Sequence, residues 1–350
     1  MRLSIIILAH NKSDLTLSCL VAIARSQVPE PFETLIIDNA SNPPLESILD
    51  KTVLHATKAK IIRNDQNLSF SKANNKAVEL SCGKFLLFLN NDVIIYPNTI
   101  SLLFENSIPK SIVGGKLLFP KSNLFQHAGI SHMLWGKASN YGVGAKSEHP
   151  KLNTRRNRFA VTGAMQFVRR DFFFELEGYD EKYHWGYEDV DLCLKARHAN
   201  ANIIYEPRAT GTHVESATLS TVRLTDKDLE NYNYYRKKWD FELQPAEDNY
   251  IDSLIENNIR VVGIFGTGGA AISLFHKLNK TDIETICFIL DRKTNETPKL
   301  ISNIPVLDLN KSCKLPLDLI IIGSQFHYNI YPRISNFFSK EIILHPVVIE

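Results

Sequence analysis

The chain has 350 residues, a net charge of +2, and 44% hydrophobic against 22% charged side chains. Two domains are expected from that length; the composition excludes a disordered chain, and the near-balanced charge excludes nucleic acid as a partner. Five scattered cysteines (Cys19, Cys82, Cys193, Cys287 and Cys313) form no CxxC pair and no metal spacing, and read as reduced thiols of a cytosolic protein.

The opening run Met1–His10 has too short an apolar part for a signal peptide and no small-residue cleavage site, so Ile5–Ala9 is predicted as a first strand. Asp14–Gln27 places Leu15, Leu17, Leu20, Val21 and Ile23 on a helical face behind a Ser13/Asp14 cap. Thr34–Ile37 and Lys60–Arg63 read as strands, Ser71–Cys82 as a helix stopped by Gly83, and Phe85–Leu89 as a fourth strand. This alternation predicts a parallel sheet.

Ser111–Pro120 and Phe125–Ser131 are predicted as further strands. Met133–Arg158, rich in Gly, Lys and Arg, is expected to be a loop that sets substrate specificity. Phe159–Val168 (strand), Arg170–Leu176 and Asp189–Ala199 (helices), and Asn202–Tyr205 (a strand ended by Pro207) follow, then a Tyr-rich helix, Thr225–Trp239. The polar stretch Glu242–Asn249 places a domain boundary near residue 245, separating 1–245 from 246–350. A second alternation then runs through strands Arg260–Phe265, Thr285–Leu290, Leu317–Ile322 and Glu341–Leu344, with a helix at Ala270–Lys280. No apolar run approaches the ~20 residues of a membrane helix. The expected location is therefore the cytoplasm, with any membrane contact peripheral, at the inner face of the cell membrane.

Three strand ends carry polar residues: Ala9-His10-Asn11-Lys12, Ile37-Asp38-Asn39-Ala40-Ser41 and Asn90-Asn91-Asp92. In open α/β sheets the carboxyl edge of the strands is where ligands bind, and a strand-end carboxylate suits a hard divalent cation that also holds phosphates. Turn chemistry explains any one of these ends, but three in one sheet converge on a cleft. Glu188-Asp189-Val190-Asp191 opens a later helix. Acidic N-capping accounts for one such residue; three neighbouring carboxylates raise the pKa of at least one of them, and Trp185 and Tyr187 beside them argue against a plain solvated face.

These segments resemble the inverting family 2 glycosyltransferases, over roughly residues 3–240. The resemblance rests on His10-Asn11, Asp38-Asn39-x-Ser41, Asn64-x-x-Asn67-x-x-Phe70-x-x-Ala73-x-Asn75, Leu89-Asn90-Asn91-Asp92-Val93, Thr162-Gly163-Ala164, Gly178-Tyr179-Asp180-Glu181 and Glu188-Asp189-x-Asp191. It is strongest toward the bacterial rhamnosyltransferase-like branch, which builds surface polysaccharides. It implies a GT-A nucleotide-diphosphosugar transferase fold, α/β with a mixed, mainly parallel sheet. The implied donor-binding residues are His10, Asn11, Asp38, Asn67, Asn75, Asn90, Asn91 and Asp92, with Asp38 on the base and ribose, or else capping its own turn. Asp92 would ligate Mg²⁺ or Mn²⁺ as the last acid of a DXD-like motif whose first acid is here Asn90. His213 would complete the metal site or be structural. Asp189 is the implied general base, with Glu188 and Asp191 beside it and Trp185 and Tyr187 on the acceptor. The implied partners are a nucleotide-diphosphosugar donor and a glycan or lipid-linked glycan acceptor. Lys151, Arg155, Arg156, Arg158, Arg169 and Arg170 would add positive charge near the cleft. Arg236, Lys237 and Lys238, interleaved with Tyr and Trp, read either as contacts to anionic lipid or as a solvated helix whose aromatics turn inward.

In the second domain, Gly266-Thr267-Gly268-Gly269-Ala270-Ala271 follows a strand and opens a helix, and Asp291 ends the next strand. Gly266, Gly268, Ala271 and Asp291 fit a dinucleotide-binding pattern, and the segment resembles small Rossmann-like modules of sugar-modifying proteins. A nucleotide or NAD(P) is the expected ligand if the module binds one; scaffolding is the other reading. Two alternatives to glycosyl transfer follow: a nucleotide-dependent sugar-modifying oxidoreductase run by this domain, and a non-catalytic nucleotide-sugar-binding scaffold.

Overall fold

In the computed structural model, which describes residues 2–29, 31–214, 226–291 and 297–350, the apolar runs of the first half become strands buried on both faces. They are β1 (Leu3–Ala9), β2 (Phe32–Asn39) and β4 (Phe85–Asn90); together with the partly exposed edge strand β3 (Ala59–Asn64) they are interleaved with helices α1 (Ser13–Ala24), α2 (Lys51–Ala56) and α3 (Phe70–Leu80). Burial on both faces is why these strands read as continuous Ile/Leu/Phe runs rather than as alternating patterns. There follow β5 (Val93–Ile95), α4 (Thr99–Glu105), β6 (Ser111–Leu118), β7 (Phe125–His127), β8 (Ile130–Met133), β9 (Ala138–Asn140), β10 (Arg156–Asn157), β11 (Met165–Arg169), α5 (Arg170–Glu175), α6 (Glu188–His198) and β12 (Asn202–His213). The main sheet runs β10-β12-β6-β11-β4-β1-β2-β3, with β5 added to β12 and β7 to β6. β11 is antiparallel to both β4 and β6, whereas β1 is parallel to β2 and β4, and β6 to β12. The sheet is therefore mixed but mainly parallel, as expected.

Register decides what meets at the carboxyl edge. Ala9 lies opposite Asp38, Leu8 opposite Asn90, and Asn39 opposite Asn64, so three polar strand ends line up side by side.

The chain divides into two compact units, Met1–Ile130 with Lys146–Lys237, and Ser131–Ala145 with Lys238–Glu350. The expected boundary near residue 245 instead falls inside one helix, α7 (Asp226–Glu256), whose interior contains Pro245. Thr225, the expected first residue of that helix, lies outside the described residues. A proline inside a helix forfeits a backbone hydrogen bond; here the turns around it are anchored by buried Leu243, Glu247 and Ile251. Glu247 receives His132 Nε2 at 2.7 Å and also pairs with Lys277. The predicted 133–158 loop is likewise split. Its first part belongs to the second unit, where β8 pairs with β9 and with a late strand, β19 (Val347–Ile349). Only its later part, including β10, belongs to the first unit. Pro207 does not end its strand: β12 continues to His213 with a register shift between Glu206 and Thr210, a bulge that accommodates the missing N–H.

The second unit is built on β13 (Val261–Phe265), α8 (Gly269–Leu278), β14 (Glu284–Leu290), β15 (Leu300–Ile301), β16 (Ile304–Asp308), α9 (Leu309–Ser312), β17 (Leu319–Ile322), α10 (His327–Ile334) and β18 (Ile343–Leu344). The sheet order is β15-β16-β14-β13-β17-β18, parallel throughout except for β15. Among the described residues no helix is long and apolar enough to cross a membrane.

Candidate active site

The carboxyl edge of β1, β2 and β3 is a network of short polar side chains. Asp38 is fully buried; its carboxylate accepts the Ser41 and Leu45 N–H groups at 2.8 and 3.1 Å and Arg63 Nη1 at 2.6 Å. Burial pushes the Asp38 pKa up, but bonds from Ser41, Leu45 and Arg63 outweigh it and leave the pKa lowered. Asn39 accepts Asn64 Nδ2 and Leu68 N–H at 3.0 Å each and donates to Asn67 Oδ1 at 2.6 Å. His10 Nδ1 donates to the Asn39 carbonyl at 2.8 Å, and the Asn11 amide lies 3.1 Å from His10 Nε2. Asn11 and Lys12 take left-handed backbone angles here, turning the chain sharply between β1 and α1.

β4 ends in Asn90, Asn91 and Asp92. Asn91 Nδ2 donates to Thr16 Oγ1 at 2.9 Å, which fixes the turn to α1. Asp92 is brought to His213 by the antiparallel pairing of β5 with the end of β12, in which His213 lies opposite Val93. Asp92 Oδ1 is 3.1 Å from His213 Nε2. On its other side the imidazole meets Gln126 Oε1 at 3.0 Å, while Gln126 Nε2 donates to the His213 carbonyl at 3.3 Å. An amide oxygen only accepts, so Nδ1 carries a proton and Nε2 is the basic nitrogen facing the carboxylate. Two acceptors at that separation face each other across a proton or a cation. Two neighbouring ligands at right angles on an octahedral Mg²⁺, each about 2.1 Å from the ion, sit roughly 3.0 Å apart. The pair therefore fits one edge of such a site. No cluster of three or more His, Cys, Asp or Glu suited to a metal is present among the described residues.

The acidic pole starts α6. Asp189, half-buried, accepts the Gly163 N–H at 2.8 Å on Oδ2 and the Val190 N–H at 2.8 Å on Oδ1. Burial raises its pKa despite these bonds. Glu188 is buried, with Oε2 lacking a hydrogen-bond partner. Burial first, and the neighbouring Asp189 second, push its pKa up to about 8. A side chain at Gly163 would press on Phe70 and on the Asp189 Cβ, at 3.2 and 3.3 Å, so glycine here lets the loop close over the carboxylate. The same loop reaches the end of β4: Asn90 N–H donates to the Ala164 carbonyl at 3.0 Å. Residues 163 and 164 thus tie Asp189 to the end of β4.

Several expected residues are placed otherwise. Asp191 is fully buried, accepts Tyr183 OH at 3.3 Å and lies 3.8 Å from Lys195 Nζ. Residues two apart on a helix point to nearly opposite sides, so Asp191 faces inward and is not a base facing the cleft. Asn75 spends its amide on the Tyr179 backbone and on Glu181, pinning the 178–181 turn. Asn67 is exposed, and its amide oxygen is taken by Asn39. Tyr187 stacks on Tyr235 at 4.6 Å between ring centroids, whereas Trp185 keeps 49% of its surface exposed. Tyr234 packs on Tyr183 at 5.0 Å, so the aromatics of α7 turn inward here. Of the basic group, Arg169 pairs with Asp171, Arg170 binds Ser81, and Arg158 is buried 5.8 Å from the Tyr205 ring. Arg63 and Gln126, which support Asp38 and His213, carried no sequence signal, since their partners come from distant strands.

With this geometry in hand, comparison with known proteins is informative. Residues 4–175 match the sequence profile of Glycosyl transferase family 2. The chain carries a glycosyl transferase family 2 domain. The O-antigen biosynthesis protein RfbC of Myxococcus xanthus is 29% identical over 267 residues, covering 71% of this chain and 20% of RfbC. The uncharacterized protein y4gI of Sinorhizobium fredii is 28% identical over 220 residues, covering 59% of this chain and 24% of y4gI. The chain thus spans a quarter or less of the length of these relatives. A crystal structure of GalNAc-T7 with UDP, GalNAc and Mn²⁺ aligns with a TM-score of 0.57 at 17% identity, covering 72% of this chain and 50% of that one. That likeness establishes the fold of the family 2 domain as GT-A.

Proposed function

We propose that this protein is an inverting glycosyltransferase that moves a hexosyl or deoxyhexosyl group from a nucleotide-diphosphosugar to a glycan or lipid-linked glycan in surface polysaccharide synthesis. The observation that carries the reading is the joining of two poles by one loop. Asp92 with His213 lies at one end and Asp189 with Glu188 at the other; Gly163 N–H is bonded to Asp189, and the Ala164 carbonyl to the N–H of Asn90, two residues before Asp92. RfbC, by its name, acts in O-antigen biosynthesis, which supports the polysaccharide context.

In this reading the strand-end network of β1 to β3 receives the nucleoside. Asp92 and His213 would hold a divalent cation, Mg²⁺ or Mn²⁺, and the chemistry it would supply is to offset negative charge on the leaving diphosphate. Asp189, held by the Gly163 and Val190 N–H groups, accepts the acceptor hydroxyl proton as that oxygen attacks the anomeric carbon. Burial weakens Asp189 as an acid and so strengthens it as a base. Trp185 offers its exposed ring to the acceptor.

Screening nucleotide sugars for diphosphate release, with and without chelator, tests the reading. The expected result is release from one donor class that stops in excess chelator; full activity in chelator removes the cation. Because Asn90 stands in place of an acid, cation binding should be much weaker without the donor nucleotide than with it. Equal affinities in calorimetry would mean that the protein alone builds the site.

A further inference from the structure

An irregularity in the main sheet delivers Gln126 to His213. β7 pairs antiparallel with β6, with Leu117 opposite His127 and Leu118 opposite Phe125. One step along β6 is thus matched by two along β7, and Gln126 is the extra residue. A bulge of this kind takes its residue out of the ladder and re-aims the side chain. The Gln126 side chain is buried and meets His213 twice. Its Oε1 lies 3.0 Å from the ring Nδ1, and its Nε2 donates to the His213 carbonyl at 3.3 Å.

That carbonyl fixes the direction of every bond in the chain. A backbone carbonyl only accepts, so the amide turns its N–H₂ toward it and its oxygen toward the ring. The amide oxygen in turn only accepts, so Nδ1 holds a proton. Asp92 pulls the other way. Its carboxylate lies 3.1 Å from Nε2, and a charged acceptor draws a proton more strongly than an amide does. With Asp92 as the sole acceptor, a neutral ring would carry its one proton on Nε2, and that nitrogen would be closed to a cation. The Gln126 oxygen opposes this by giving the proton a partner at Nδ1. A carboxylate in its place would also raise the basicity of the ring; the amide orients the ring and adds no charge.

We propose, building on the cation role of Asp92 and His213, that Gln126 is a positioning residue: its oxygen selects the His213 tautomer that presents Nε2 to the divalent cation. Two variants separate this role from packing. Gln126→Glu and Gln126→Leu both lose the amide N–H that binds the His213 carbonyl, but only Gln126→Leu loses the acceptor at Nδ1. The full-length protein is titrated with Mn²⁺ in the presence of UDP, GDP and dTDP in turn, against the same mixtures without protein. Pulsed electron paramagnetic resonance then reads the bound Mn²⁺ for the nitrogen coupling of a ligating imidazole. Wild type should bind Mn²⁺ with at least one nucleotide and show that coupling. Gln126→Leu should bind about 10–100-fold more weakly and lose the coupling, whereas Gln126→Glu should keep it. Ligand-free melting checks the fold of each variant; if Gln126→Leu does not fold, Gln126→Met replaces it. Equal affinity and coupling in wild type and Gln126→Leu, or equal losses in Gln126→Leu and Gln126→Glu, overturns the positioning role and leaves the cation site standing. Failure of wild type to bind Mn²⁺ with any of the three nucleotides, or binding without nitrogen coupling, removes the cation role of His213 and the proposal with it.

Discussion

Both units carry parallel strands with a polar or open carboxyl edge, but the two edges are built from opposite materials. In the family 2 domain the edge is crowded with side chains: Asp38, Asn39, Asn64 and Asn67 bond to one another, and Asp92 faces His213. In the second unit the corresponding edge, among the described residues, carries the glycine turn and the start of α8 beside Asp291 and Asp308. A crowded edge positions chemistry through charges whose pKa values neighbours can tune; a bare edge offers backbone dipoles and room for close approach. Substitutions should therefore act through chemistry in the first unit and through fit in the second.

The largest effect expected on this comparison is from Asp189→Asn. Diphosphate release should fall by about 10²–10⁴-fold, the usual worth of a general base, with donor affinity in calorimetry little changed. Turnover near wild type would take Asp189 out of that role and leave the first edge a binding surface only.

Next in size is Gly323→Ala. The added methyl collides with Ala271, a backbone-level clash that should cost about 1–3 kcal/mol in denaturant unfolding. Gly268→Ala, by contrast, places a Cβ that meets nothing within 4 Å and should stay within about 0.5 kcal/mol of wild type. If the two variants destabilise equally, the division between glycines the fold needs and glycines it does not is wrong.

The pH response of the first edge gives a subtler check. Glu188 has its folded pKa raised to about 8 from an ordinary value of 4.5. The folded state thus holds this proton more tightly than the unfolded chain does. Its contribution to stability is fully present below about pH 4.5 and is lost as pH rises through about 8. Glu188→Gln mimics the protonated form and should flatten the stability profile across that window, measured by thermal melting from pH 4.5 to 9. An unchanged slope would mean that Glu188 is ionised throughout.

Much of the fold was legible because buried parallel strands write themselves as unbroken apolar runs; Leu3–Ala9 and Phe85–Asn90 are the clearest cases. The misreadings arose where tertiary contacts overrode local signals. Pro207 looked like a stop, yet a bulge absorbs it; a boundary was expected near residue 245, yet buried Leu243, Glu247 and Ile251 hold one helix through it. Polar residues 242–249 looked like a linker because the ion pairs of Glu247 with His132 and Lys277 are made to residues far away in the chain. Asp191 was misassigned although helical geometry could have corrected it, since it lies two residues from Asp189.

By itself, the sequence determined which strand ends carry polar groups, where the glycine turn opens a helix, and that an acidic run starts another. These are local facts, set by the period of apolar residues and by the backbone demands of glycine. Only the tertiary structure decided which of those groups meet. The β5–β12 register brings His213 to Asp92, the Gly163 amide selects Asp189 within its acidic run, and residues 131–145 join the second unit. Such pairings depend on strand register and on burial between distant segments, and neither is recorded in the neighbourhood of any single residue.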